Sequence, residues 1–185
     1  MRRAARCGAM LVAAALAACA QVTRIDHEAS PVADSPFTAA GRLSARHASD
    51  ALSANFNWRH LTDTDSIALA TPLGQTLATL EREHDTVTIV LADGRRASAD
   101  TFDALTAKTF GVPLPVSGLT WWIRGHPRAG AAFSLERDAA GRADVLRQDG
   151  WEIVYTYADD ATLLPRRLTL AYPDIDIRVV IDQWQ

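Results

Sequence analysis

The sequence predicts an α+β domain: a meander of short antiparallel strands curling toward a barrel, with two small helices on its concave side. Three observations carry that expectation. Many short runs alternate apolar and polar residues, the period of half-buried strands. Turn chemistry at Asp93-Gly94, Asp149-Gly150 and Pro173-Asp174 separates such runs,. Between residues 100 and 127 the alternation gives way to helical spacing,.

Taken in order, the chain opens with Arg2, Arg3 and Arg6, then an apolar run from Ala9 to Ala18 that is too short to span a bilayer and reads as a secretory signal. The run ends in Leu16-Ala17-Ala18-Cys19, which looks like the lipobox of bacterial lipoproteins. Cleavage before Cys19 would leave its sulfur to carry a diacylglycerol and its amine a palmitoyl chain. Ala20, not Asp, follows the cysteine; in lipoproteins that implies delivery to the outer membrane. From Ala20 to about Thr38 the composition is small, polar and punctuated by Ser30-Pro31 and Ser35-Pro36, as in a tether. The expected division is a signal over 1–18, a lipidated cysteine and tether over 19–40, and one domain over 41–185 that starts near Gly41.

Within that domain, Ala54, Phe56 and Trp58 fall on one face of a strand and Ser53, Asn55 and Asn57 on the other,. The same period recurs in Ile67 to Ala70, Leu77 to Leu80, Val87 to Leu91, Ala132 to Leu135, Trp151 to Tyr157, Leu168 to Tyr172 and Ile175 to Ile181. Asp100 is placed to cap a helix carrying Phe102, Leu105 and Phe110, with Gly111 and Pro113 as its stop,. A shorter helix starts near Ser117, spaces Leu119, Trp122 and Ile123 along one face, and ends before Gly125 and Pro127.

Composition narrows the function. Loss of the signal leaves 167 residues with 16 basic against 22 acidic side chains, which speaks against nucleic acid as a partner. Cys7 lies in the signal, so the exported domain has no disulfide to close,. His27, His47, His60, His84 and His126 include no pair at helical ligand spacing and no neighbouring cysteine, and they read as solvated surface residues rather than metal ligands. Nucleophile elbows and phosphate-binding glycine loops are absent from the sequence,. The carboxylate pairs Asp159 with Asp160 and Asp174 with Asp176 stand beside turn residues, where Asp is common for backbone reasons,. No catalytic residue and no metal site is expected.

What stands out is apolar. Any one of Trp58, Trp121, Trp122, Trp151 and Trp184 is better read as core packing. As a group they suggest an interior, faced by Trp58 and Trp151 and covered by the Trp122 helix, that could hold hydrocarbon. Pro72, Leu73 and Gly74 sit in a turn between two strand-like runs. By pattern alone Leu73 folds back onto the core; an exposed tip would instead suit contact with lipid or a partner.

Several motifs recur in a recognisable order: the Cys19 lipobox, Gly41-Arg42-Leu43, Phe56-Asn57-Trp58, Thr71-Pro72-Leu73-Gly74, Val112-Pro113-Leu114-Pro115 ahead of the Trp122 helix with Arg124-Gly125, Gln148-Asp149-Gly150-Trp151, and Ile181-Asp182-Gln183-Trp184. In that order and spacing they resemble the LolB family of outer-membrane lipoprotein receptors, over nearly the whole mature chain. The resemblance implies an incomplete antiparallel β-barrel with a helical lid over a hydrophobic cavity. It implies a monomer, lipid-anchored on the periplasmic face of the outer membrane, that accepts acylated lipoprotein cargo from the soluble carrier LolA and inserts it among outer-membrane lipid. LolA has a similar fold but no lipidated cysteine, and Cys19 separates the two. By motif position Leu73 would enter the membrane. The resemblance does not fix which of Phe56, Trp58, Leu69, Leu80, Ile89, Trp122, Ile123 and Tyr155 face the cavity. The alternative is an envelope scaffold lipoprotein that binds a protein partner through the same sheet.

Overall fold

The computed structural model describes residues 35–185. The signal, Cys19 and the tether up to residue 34 lie outside the described residues. The first six strands, β1 (Phe37–His47), β2 (Asp50–His60), β3 (Thr64–Ala70), β4 (Thr76–Glu83), β5 (Thr86–Leu91) and β6 (Arg96–Ala99), form a meander. Two helices follow, α1 (Phe102–Phe110) and α2 (Val116–Trp122), and then β7 (Phe133–Arg137), β8 (Ala143–Gln148), β9 (Trp151–Thr156), β10 (Arg167–Tyr172) and β11 (Ile175–Trp184). All eleven strands join in one antiparallel sheet, ordered β6-β5-β4-β3-β2-β1-β11-β10-β9-β8-β7. The two meanders therefore meet where β1 pairs with β11, and β6 and β7 are left as the edges of an unclosed barrel. The helical segment links those edges, so it must pass over the concave face.

Alternation decides which face is concave. Ala54, Phe56 and Trp58 of β2, Ile67 and Leu69 of β3, and Ile177, Val179 and Ile181 of β11 are buried while their neighbours are largely exposed. The expected strands are present, and three more appear. β1 was hidden because its inward residues include Ala39, Gly41 and Ala45, which give little hydropathy contrast. Their small size has a cause at Gly41, where a Cβ would collide with the carbonyl oxygen of Val180. The first strand begins at Phe37, buried at 7% exposure. β6 is only four residues long, and a register shift beside β8 breaks the period there.

Thr101, not Asp100, caps α1, its hydroxyl accepting from Ala104 N at 3.2 Å. Gly111 ends the helix at φ 73°, its N–H bonded to Ala107 O. α2 starts at Val116 behind Pro115, one residue earlier than expected. Strand direction defines two ends of the barrel. At the proximal end the chain enters β1 and leaves β11, beside the connections 61–63, 84–85, 138–142 and 157–166. At the distal end lie 48–49, 71–75, 92–95, 149–150 and 173–174.

Candidate functional site

Between the concave sheet and the helical segment lies a small void of about 40 Å³. Its sheet wall is Leu43, Phe56, Trp58, Ile67, Leu69, Leu80 and Val179; its lid is Leu114, Val116, Leu119 and Ile123. Every lining residue is apolar, and Trp58 is made so by its surroundings: its indole N–H turns away to donate to Asp65 Oδ1 at 2.8 Å. A space of this size is far below the roughly 300–1,000 Å³ of ordinary ligand pockets. As it stands the site is too small for an acyl chain.

Of the eight residues named for the cavity, Phe56, Trp58, Leu69, Leu80 and Ile123 line it. Ile89, Trp122 and Tyr155 do not, although all three are buried. Ile89 faces inward on β5, beyond Leu80 with which it pairs. Trp122 points to the opposite flank, its N–H donating to Gln148 Oε1 at 2.8 Å and its ring 6.4 Å from that of Trp151. Tyr155 lies on that flank too, in register with Leu168 of β10. Leu114, Val116 and Leu119 were missed as lining because their place depends on how the lid crosses the sheet. Leu43, Ile67 and Val179 carried the strand period but no mark distinguishing cavity wall from core.

The lid is held by polar latches. His47 Nδ1 lies 2.9 Å from Gly111 O, where α1 reaches the distal end. The connection after α2 is clamped by Gln148, which accepts from Arg128 N at 2.7 Å and donates to Arg128 O at 2.8 Å and Ala131 O at 3.2 Å. Arg124 donates to Ser35 O at 2.9 Å and lies 4.9 Å from the centre of the Phe37 ring. Between the helices, the Thr106 hydroxyl donates to Phe102 O and accepts from Leu114 N, each at 2.8 Å.

Behind Trp58 stands a buried polar cluster. Asp65, 3% exposed, accepts from Trp58 Nε1 and His60 Nδ1 at 2.8 Å and from Arg82 Nε at 2.7 Å. Burial works to raise the Asp65 pKa, and the hydrogen bonds from His60, Trp58 and Arg82 outweigh it and hold the carboxyl below its ordinary value,. His60, read from sequence as a surface residue, is therefore core, at 1% exposure. His47 and His126 are half-buried, His84 is exposed, and His27 lies outside the described residues. Asp159 spends its carboxylate on the turn it starts, accepting from the Thr162 hydroxyl at 2.7 Å and from Ala161 N and Thr162 N at 2.9 Å, which lowers its pKa.

The turn 71–75 projects from the distal end. Thr71 closes it, its oxygens accepting from Gln75 N and Gly74 N, and Gly74 takes φ 86°. Leu73, at its tip, is 91% exposed, so it does not fold back as local pattern alone suggested.

Comparison with known proteins sets this geometry in context. The family model for the outer membrane lipoprotein LolB matches residues 35–184. The chain belongs to the LolB family. The outer-membrane lipoprotein LolB of Chromobacterium violaceum is 40% identical over 154 residues, covering 83% of this chain and 82% of that protein. The LolB of Azoarcus sp. is 34% identical over 180 residues, covering 96% and 93%. A proposed outer membrane lipoprotein-sorting protein domain from Vibrio parahaemolyticus has a similar fold, at TM-score 0.54 and 9% identity over 82% of this chain and 85% of that one. As a LolB-family member this is an outer-membrane lipoprotein of the lipoprotein-sorting pathway.

Proposed function

We propose that the protein accepts acylated lipoproteins from the periplasmic carrier LolA, holds their acyl chains under its lid, and passes them into the outer membrane. In this reading it is a monomeric, non-enzymatic receptor held on the periplasmic face by lipid on Cys19. The observation that carries the reading is the all-apolar void between sheet and lid. A wall without a polar atom to offer a substrate suits hydrocarbon and little else.

Energetics explains why such a receptor is needed. Each methylene taken out of water is worth roughly 0.8 kcal/mol, so a lipoprotein's acyl chains cannot cross the periplasm bare. Transfer has to run from one apolar environment to the next. The void is too small for an acyl chain, so loading requires α2 and the segment 112–115 to lift from the sheet, with the chains replacing the lid's own Leu114, Val116 and Leu119 as the filling. Donor, receptor and bilayer then need only rank in increasing affinity, and no nucleotide is consumed at this step. Leu73, already in solvent, gains by entering lipid, which gives the loaded receptor a contact with the acceptor membrane.

The test is transfer from cargo-loaded LolA to lipid-free versions of this domain, wild type and Leu73→Glu, and onward to liposomes. Wild type should acquire and release cargo; Leu73→Glu should acquire it and stall, with folding stability within about 0.5 kcal/mol of wild type because the site is solvated. A wild-type domain that never acquires cargo would sink the receptor reading in favour of the scaffold.

A further inference from the structure

A second leucine is as conspicuous as Leu73 and stands at the other end of the molecule. Leu163 is 79% exposed, on the ten-residue connection between β9 and β10, the longest between consecutive strands outside the helical segment. Single exposed leucines are common; the way this one is held is not.

The loop is clamped from within. The Asp159 carboxylate accepts from Ala161 N and Thr162 N, and also from the Thr162 hydroxyl at 2.7 Å. Arg142 reaches across from the 138–142 turn and donates to Asp159 O at 2.7 Å and Thr162 O at 3.0 Å. Arg142 is itself fixed by Asp138 at 2.7 Å and stacks 4.1 Å from the centre of the Tyr157 ring. Beyond the tip, Pro165 is buried and its carbonyl accepts from Trp184 Nε1 at 3.3 Å. Leu163 is therefore displayed by a braced backbone.

Its position is what names the partner. Trp184 lies against Phe37, ring centroids 6.0 Å apart, and Ser35, where the described chain begins, is bonded at this same proximal end by Arg124. The tether to Cys19 thus leaves the domain on the side that displays Leu163. Fifteen residues lie between Cys19 and Ser35, a connection that spans at most roughly 55 Å fully extended. β1 runs the barrel from end to end with eleven residues, about 36 Å. The tether can therefore let either end face the bilayer, and a short excursion brings the proximal one down first.

We infer that the Leu163 loop is a second lipid-contacting tip, which seats the tethered end of the domain on the bilayer surface while Leu73 points away from it. The inference rests on the anchoring of Cys19 proposed above. Loading then occurs with the distal end free in the periplasm, and delivery requires the domain to turn over and present Leu73. The charges beside the tip are of both signs, Asp160 facing Arg142 at 3.9 Å and Arg166 facing Asp182 at 3.0 Å, so the contact is carried by the leucine and a zwitterionic surface is sufficient for it.

The mature protein has no cysteine besides Cys19, so a fluorophore can be placed at will. The lipidated Leu163→Cys protein, labelled with an environment-sensitive dye, is reconstituted in phosphatidylcholine vesicles with and without nitroxide-bearing lipid; Ala140→Cys, on the neighbouring exposed turn, is the control. Expected is at least twofold stronger quenching at 163 than at 140. Equal quenching at the two positions overturns the inference. The mass of the N-terminal peptide reports separately whether Cys19 is lipidated. If it is not, the same labelled domain with a hexahistidine segment replacing Cys19, on nickel-chelating phosphatidylcholine vesicles, still decides whether Leu163 enters lipid.

Discussion

The lid meets two different flanks of the same sheet. Toward β1–β4 and β11 the facing side chains stop short of one another and leave the void, and nine of its eleven lining residues are aliphatic. Toward β8–β10 the gap is filled: Trp122 lies against Trp151, Trp151 against Tyr172 at 5.1 Å, and Leu146, Ile153 and Leu168 are fully buried. Large rings with polar handles fix one position, since an indole N–H must also find its acceptor. Aliphatic side chains carry no such obligation. The aromatic flank is suited to hinge the lid, and the aliphatic flank to open.

The contrast can be broken most severely at Asp65, which anchors Trp58 on the void flank. Asp65→Ala leaves the buried Trp58 N–H without its acceptor and the partly exposed Arg82 without its ion partner, and should cost about 3–5 kcal/mol in urea unfolding. The same carboxyl gives a pH signature. Its folded pKa is depressed, so its contribution is complete above the unfolded value near 3.9 and is lost as pH falls from there through the folded value. Wild-type stability should show an acid limb in that window, and the variant should lose that component.

A smaller effect sharpens the comparison of packing. Ile153→Ala on the filled flank should cost about 3–4 kcal/mol, and Leu119→Ala beside the void nearer about 2 kcal/mol, because fewer contacts are lost where space already exists. Equal costs would mean that the void side is packed as tightly as the other. Gln148→Ala removes the clamp behind α2 and the acceptor of the buried Trp122 N–H, at about 1–3 kcal/mol. Its informative readout is increased binding of a fluorescent hydrophobic probe, reporting a lid that lifts more often. Unchanged probe binding would remove Gln148 from the latch.

Much of this was legible in the sequence, and the exceptions have physical reasons. Phe56, Trp58, Leu69 and Leu80 announced an inward face by alternation, and the turn holding Leu73 announced itself through Pro72 and Gly74. His60 misled because a histidine in an alternating run does not reveal the Asp65 waiting for it on the next strand. Ile89, Trp122 and Tyr155 are as apolar and as regularly placed as the true lining residues. They miss the cavity because the void lies only between the lid and the β1–β4 and β11 side of the sheet, away from these three side chains.

By itself the sequence determined the periods: which side chains point inward, where the chain turns, and where two helices interrupt the strands. Those follow from local sterics and hydropathy, which act between residues near in the chain. Only the tertiary structure decided that β1 would pair with β11, that the lid would lean on one flank and leave space on the other, and that Leu73 and Leu163 would stand at opposite ends. Each is a relation between segments far apart in sequence, fixed by the mutual packing of side chains and the geometry of the whole sheet.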